Sequence, residues 1–409
     1  MKLEKILYNP SLRLLIGRVS IAGLVYLGTF SLAAILTAAE YGKVAFTIFI
    51  TKSVVLSSLG AGQGLIYFLM NDSRDYQKTY LLFSSFSVLI FSTIYFLLYD
   101  VSYYLLIFFV AFVGIAEPYL KVRKHFLVSL FPEFFLVFSF LIFFVLSKVF
   151  GISNQVLVRP DLYLAVLVFL FAVLYREPLK SFFNESLLVK ASAKKLKNLI
   201  LQGFPSYLFN LVFFLFLLTD RTMVGSVYGD EKLGVVMLAY QLALIAGFVV
   251  SAINSKAIID IGRLMKNRDS RMVPFMIRKI TISFALGLMF LLGILIFVHV
   301  LGGHFFSGYE DLIEFVIIYG LGLLVFNIFG SVSPVLFYVR KQIVPAISIL
   351  ISLVALYCSH KFLPSFGFAL LEVEWAAYSV FILSLSVSIL YCLSKAKTLA
   401  DSDKIEGTI

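Results

Sequence analysis

The chain has 409 residues, 61% of them hydrophobic and only 14% charged, with a mean hydropathy of +1.00. That balance excludes a soluble globular domain and predicts a polytopic membrane protein. The net charge of +11 does not point to nucleic acid in so apolar a chain, because Lys and Arg gathered in cytoplasmic loops give the same excess.

Apolar stretches of about 20 residues, enough to cross about 30 Å of hydrocarbon as helices, occur near 12–36, 42–69, 79–99, 103–120, 126–147, 161–175, 199–219, 233–258, 273–300, 312–337, 343–363 and 373–394. Short, even loops and the lack of alternating ten-residue segments favour a helical bundle over a barrel. The expected fold class is therefore all-α, a polytopic membrane protein with 12 transmembrane helices. The first stretch has Lys2, Lys5 and a small-residue run like a signal peptide, but its apolar run is too long for one and it reads as a retained span.

With the N-terminus placed in the cytoplasm, 22 of the 34 Lys and Arg fall in inner segments, six in outer segments and six inside or at the inner edges of spans. Both termini are accordingly expected in the cytoplasm. The longest inner connection, 176–202, divides the spans into two sets of six, giving lobes at 1–175 and 199–394, a basic linker at 176–198 and a tail at 395–409. The linker's Lys190, Lys194, Lys195 and Lys197 suit either a basic amphipathic helix on the anionic leaflet or a solvated connection.

Ionisable residues inside spans are costly and mark function or buried pairing. Arg13 lies at the membrane edge of span 1, and Arg18 lies about 9 Å into that span from its cytoplasmic side, on a face with Ala22 and Thr29. Lys52 falls about 15 Å deep in span 2 if that span is one helix, and Gln63, three turns on, would share its face. An ammonium and an amide beside Thr51 and Ser58 can bind phosphate oxygens and sugar hydroxyls; the other reading pairs Lys52 with a buried acid. Lys256, near Asn254 at the inner end of span 8, either completes a cationic ring or is topogenic. Glu117 beside Pro118 and Glu133 beside Pro132 could couple transport to protons or sodium ions, or pair with Lys52 or Arg18. Asp220 and Arg221, at the expected outer end of span 7, read as a gate or an interfacial pair.

Other patterns carry less. Cys358 and Cys392 have no paired spacing, and the "CSH" at 358–360 reads as structural, so neither a metal nor a cofactor is expected. "GAGQG" at 60–64 lacks the strand-turn-helix setting of a nucleotide loop, so its glycines read as permitting close helix packing or a local bend.

The stretches beginning at Ala39 and Glu231 share a short loop, a glycine (Gly42, Gly234) and a long span ending in small or polar residues, the mark of a parallel internal repeat. "ILTAAEYGKVAF", and the region of Gly203-Phe204-Pro205, Asp220-Arg221, Gly229 and Gly234, resemble the Wzx-type polysaccharide flippases of the multidrug/oligosaccharidyl-lipid/polysaccharide exporter superfamily. The resemblance implies two six-helix lobes rocking around a central cavity and a cargo of undecaprenyl-pyrophosphate-linked oligosaccharide moved to the outer leaflet. It also implies membrane-embedded cations meeting the pyrophosphate, with polysaccharide polymerase machinery as a partner beside the lipid bilayer. An alternative from the same superfamily is a proton- or sodium-coupled exporter of drugs or organic cations. A membrane polymerase or ligase is disfavoured, because the outer loops at 148–160, 219–232 and 301–311 are short.

Overall fold

The computed structural model describes residues 26–53, 58–70, 74–98 and 190–266, and 269–406 apart from 270, 307, 334, 337–340 and 342, together with residues 23, 115, 180 and 184. The described elements are helices: α1 (Ala38–Ser53), α2 (Ala61–Met70), α3 (Gln77–Leu98), α4 (Ala193–Lys266), α5 (Met272–Phe305), α6 (Leu312–Val332), α7 (Ile343–Phe362) and α8 (Leu370–Glu406). Short 3₁₀ turns at Arg74–Tyr76 and Leu363–Phe366 join α2 to α3 and α7 to α8. Contacts divide the chain into one unit of 1–36 and 44–211 and a second of 37–43 and 212–409.

Local chemistry sets where these helices begin. The Thr37 amide and hydroxyl donate to the Glu40 carboxylate at 3.0 and 3.1 Å, and the Glu40 amide donates back to the Thr37 hydroxyl at 3.3 Å, a capping box that starts α1. Glu372 accepts from the Ala369 amide at 2.9 Å ahead of α8, and the Ser192 hydroxyl accepts from the Lys195 amide at 3.2 Å to open α4.

Two expected spans take a different form. The stretch 42–69, read as one helix, is broken: Leu59 and Gly60 have φ of 47° and 84°, and α2 starts afresh at Ala61. Gly60 is needed there because its α-carbon faces Gly203 across the first unit, where an added Cβ would stand 2.8 Å from the Gly203 carbonyl. The bend expected of "GAGQG" is thus present, whereas the shared helical face of Lys52 and Gln63 is not.

The second correction concerns the outer loop expected at 219–232. The helix runs through it to Tyr228 and turns at a single residue, Gly229, whose φ of 90° and ψ of 171° are open only to glycine. Asp220 and Arg221 therefore sit within a helix, about 14 Å before its break.

In the second unit α6 is the central helix, with residues such as Val316, Ile318 and Tyr319 fully buried, and it packs against α5 and α8. α5 and α7 instead expose Ile296, Val300, Ile351 and Val354, the outward apolar face a hydrocarbon surrounding requires. Five stretches are long and apolar enough to cross a membrane among the described residues: Tyr207–Gly247, Met272–Val300, Leu312–Val332, Ile343–Phe366 and Leu370–Leu399. Gly42 and Gly234, equated by the internal repeat, touch one another, since a Cβ on Gly42 would meet the Gly234 nitrogen at 2.8 Å. Beside them Lys43 pairs with Asp230 and Lys232 with Asp311, each at 3.0 Å. Charges expected in three outer loops thus meet at one end of this unit.

Candidate functional site

Four ionisable side chains of the second unit, Asp220, Arg221, His360 and Glu374, have no solvent exposure and converge from α4, α7 and α8. Each comes from a membrane-length helix, where an uncompensated charge is expensive, so their contacts decide what the site can do.

Asp220 is held from one side. Its Oδ2 accepts from Arg221 Nη1 and, at 3.1 Å, from the Tyr378 hydroxyl, which also accepts from Arg221 at 3.4 Å. The guanidinium lies over the Tyr240 ring at 4.3 Å and faces that of Tyr319 at 5.4 Å, so aromatic faces supply part of the solvation that water would. Tyr319 and Tyr378 pack edge to face at 4.8 Å, and Phe216 and Phe381 stack beneath them at 4.7 Å. This apolar floor fixes the pair's position and excludes water.

The other carboxylate oxygen, Oδ1, turns towards His360. His360 Nε2 stands 3.6 Å from it and 3.4 Å from Glu374 Oε1, within ion-pair distance of both carboxylates but without the alignment of a hydrogen bond to either. Among the described residues, Asp220 Oδ1, both Glu374 oxygens and both His360 ring nitrogens have no hydrogen-bond partner. Buried polar atoms without partners are rare and mark a place for something else. With its imidazole neutral and both acids ionised, the cluster would carry a single negative charge, which a bound cation would cancel.

Only Asp220 and Arg221 were foreseen in the sequence, and they are buried in this cluster rather than placed at a membrane surface. His360 joins it while its neighbour Cys358 is exposed. Glu374 was not singled out, although a signal existed: the expected topology puts the end of span 7, the end of span 11 and the start of span 12 at one membrane level. Lys52 is the penultimate residue of α1, Gln63 the third of α2, and Lys256 lies on the second arm of α4, about 40 Å beyond Gly229. Arg13, Arg18, Glu117 and Glu133 lie outside the described residues.

No family model and no curated protein matches the chain. Solved structures do. An inward-facing multidrug resistance MATE family transporter of the MOP superfamily aligns at a TM-score of 0.68 and 13% identity, over 94% of this chain and 98% of that one. A mutant of a Vibrio cholerae MATE transporter aligns at 0.65 and 13%, over 97% and 98%. A Pyrococcus furiosus MOP superfamily transporter, described as having a binding pocket of reverse polarity that suggests a different function, aligns at 0.64 and 14%, over 95% and 96%. At such identities the likeness speaks of fold alone: the chain has the all-α, polytopic membrane fold of these transporters.

Proposed function

We propose that the chain is a cation-coupled transporter of the bacterial cytoplasmic membrane, working by alternating access, and that it exports organic cations or drugs. The observation that carries this reading is the buried Asp220–His360–Glu374 cluster, whose inward oxygens and nitrogens have no partner among the described residues. A proton or metal cation entering there removes a net negative charge from an apolar surrounding. Such an ion biases the packing of α4, α7 and α8, and the state that binds it better becomes more populated. The multidrug resistance transporters among the solved neighbours favour a drug-like cargo.

A second reading, a flippase for undecaprenyl-pyrophosphate-linked oligosaccharide, is kept on one observation: α1 carries Lys52 near its end, within an expected span and among apolar residues. A cation there favours an anionic cargo, and the fold is also found in a transporter described as having a binding pocket of reverse polarity. In this reading Lys52, with Arg13, Arg18, Gln63 and Lys256, meets the pyrophosphate and sugars, and a polysaccharide polymerase is the downstream partner.

One experiment separates the two. A deletion strain is scored for susceptibility to a panel of cationic drugs and for the leaflet location of lipid-linked oligosaccharide, with wild type, Glu374→Gln and Lys52→Ala restored separately. Export predicts raised susceptibility corrected by wild type and not by Glu374→Gln, with the oligosaccharide delivered normally. Accumulation on the cytoplasmic leaflet, relieved by wild type and not by Lys52→Ala, would replace export with flipping.

A further inference from the structure

We infer that the cation taken by this cluster is a divalent transition metal of the zinc type, bound by Asp220 Oδ1, His360 Nε2 and Glu374 Oε1. The inference deepens the cation-site reading above and rests on it.

Spacing is the first argument. The three donor atoms all lie within 4.8 Å of one another, with the imidazole nitrogen 3.4 Å from one carboxylate oxygen and 3.6 Å from the other. Hydrogen-bonded partners would stand at about 2.7–3.2 Å. Two ligands of one tetrahedral ion, each bound at about 2.0–2.1 Å, stand roughly 3.3–3.5 Å apart. The two imidazole–carboxylate separations match those of ligands sharing one ion.

Donor type is the second. Hard cations such as sodium, magnesium and calcium take oxygen, whereas an imidazole nitrogen beside two carboxylates suits zinc, iron, cobalt or manganese. Sequence alone would not assemble this set, because its members are separated by more than a hundred residues between Asp220 and His360 and lie on three helices.

Orientation is the third. The Asp220 oxygen turned away from the triad is held by Arg221 and by the Tyr378 hydroxyl, which fixes the remaining oxygen towards His360, as outer-shell partners fix ligands in metal sites. Glu374 Oε2, with no partner, offers a second oxygen from the same carboxylate. Arg221 lowers the site's affinity by like charge, and the Tyr240 face at 4.3 Å offsets part of that repulsion. The expected binding is therefore reversible, as a site that fills and empties during transport requires.

The test uses the full-length protein in detergent, freed of any purification tag, titrated with Co2+ and read by visible absorption. Wild type is expected to bind one Co2+ per chain with the intense bands of tetrahedral coordination. Zn2+ should displace it and excess Na+ should not. Binding should weaken at least tenfold in both His360→Gln and Glu374→Gln and stay unchanged in His299→Gln, a change at an exposed residue. Because the variants can lose their fold, X-ray absorption of the zinc-loaded wild type gives an independent answer, with one imidazole among oxygen ligands expected. Absent bands in wild type, bands that survive both variants, or two or more imidazoles on the zinc would each overturn the inference. None of these readouts involves transport, so drug export driven by a proton or sodium gradient without metal binding would leave the proposed function standing and remove only the metal.

Discussion

The contact between α7 and α8 has two ends of opposite character. At one end Ser348 and Ser388 share a hydrogen bond of 2.8 Å and Ser352 and Ser384 one of 2.7 Å. One turn further along the same face of α7 comes the fully buried Leu356, and a turn beyond that His360 faces Glu374 across 3.4 Å. The neutral pairs close on each other and leave nothing over. The ionisable residues are held apart, with oxygens and nitrogens that have no partner among the described residues. Polar groups in one helix seam thus do two jobs, and the distance between them tells which: satisfied hydroxyls bind helix to helix, and spaced ionisable groups wait for a ligand.

The largest expected effect comes from breaking the charged end. Asp220→Ala leaves the Arg221 guanidinium buried without its carboxylate, which costs about 3–5 kcal/mol, enough to show as lost folded protein in detergent. The double change Asp220→Leu with Arg221→Met removes both charges and should recover most of that stability without restoring transport. Recovery of transport by the double variant would show that the charged end is only a packing device, like the serines.

A contact with no polar side chain calibrates both ends. Gly203 meets Gly60 and Gly64 so closely that a Cβ on it would stand 2.8 Å from the Gly64 nitrogen. Gly203→Ala must push two helices apart, and overpacking of this kind costs roughly 1–3 kcal/mol. Its expected signature is lower thermal stability with metal and proton binding at the second-unit cluster unchanged.

How much of this was legible in the sequence follows from what each feature depends on. The boundaries of α5, α6 and α7 follow hydropathy closely, because an apolar run of membrane length has few other stable outcomes. The interruption before Gly60 and the turn at Gly229 were less visible, since a glycine in an apolar run permits a break without requiring one. The same ambiguity put Asp220 and Arg221 at a span end, as a gate or an interfacial pair, whereas the helix continues past them to Tyr228. His360 and Glu374 escaped for another reason. Each is an ionisable residue near a helix end with another beside it, Lys361 or Glu372, unremarkable in sequence, and only the packing of α4, α7 and α8 makes them a group.

The neutral end gives a smaller effect. In Ser352→Ala the Ser384 hydroxyl keeps its bond to the Phe381 carbonyl at 3.0 Å, so no buried group is orphaned. The loss should be near 0.6 kcal/mol, the average for interhelical hydrogen bonds in membranes, and transport should be unaffected. A loss of transport at wild-type stability would extend the functional site down the seam and erase the contrast between its ends.

The smallest effect sharpens the comparison from the connection between α4 and α5, where the chain holds a second Asp–Arg pair two residues apart. Asp269 accepts from the Arg271 side chain at 2.7 and 3.1 Å and from its backbone amide at 2.8 Å, ahead of α5. Those hydrogen bonds, the side-chain ones foremost, lower its carboxyl from the usual 3.8 to about 2. A lowered folded value means that the pair stabilises the fold above about pH 4 and that this contribution disappears as pH falls towards 2. Arg271 is exposed, so salt should screen the interaction and Asp269→Asn should barely change stability at neutral pH. Asp220→Asn, which weakens the buried counterpart, should instead cost stability at every salt concentration. Thermal unfolding of the two variants side by side, at low and high salt, tests whether burial is what separates them; equal losses would place Asp220 in contact with solvent and remove the cation site with it.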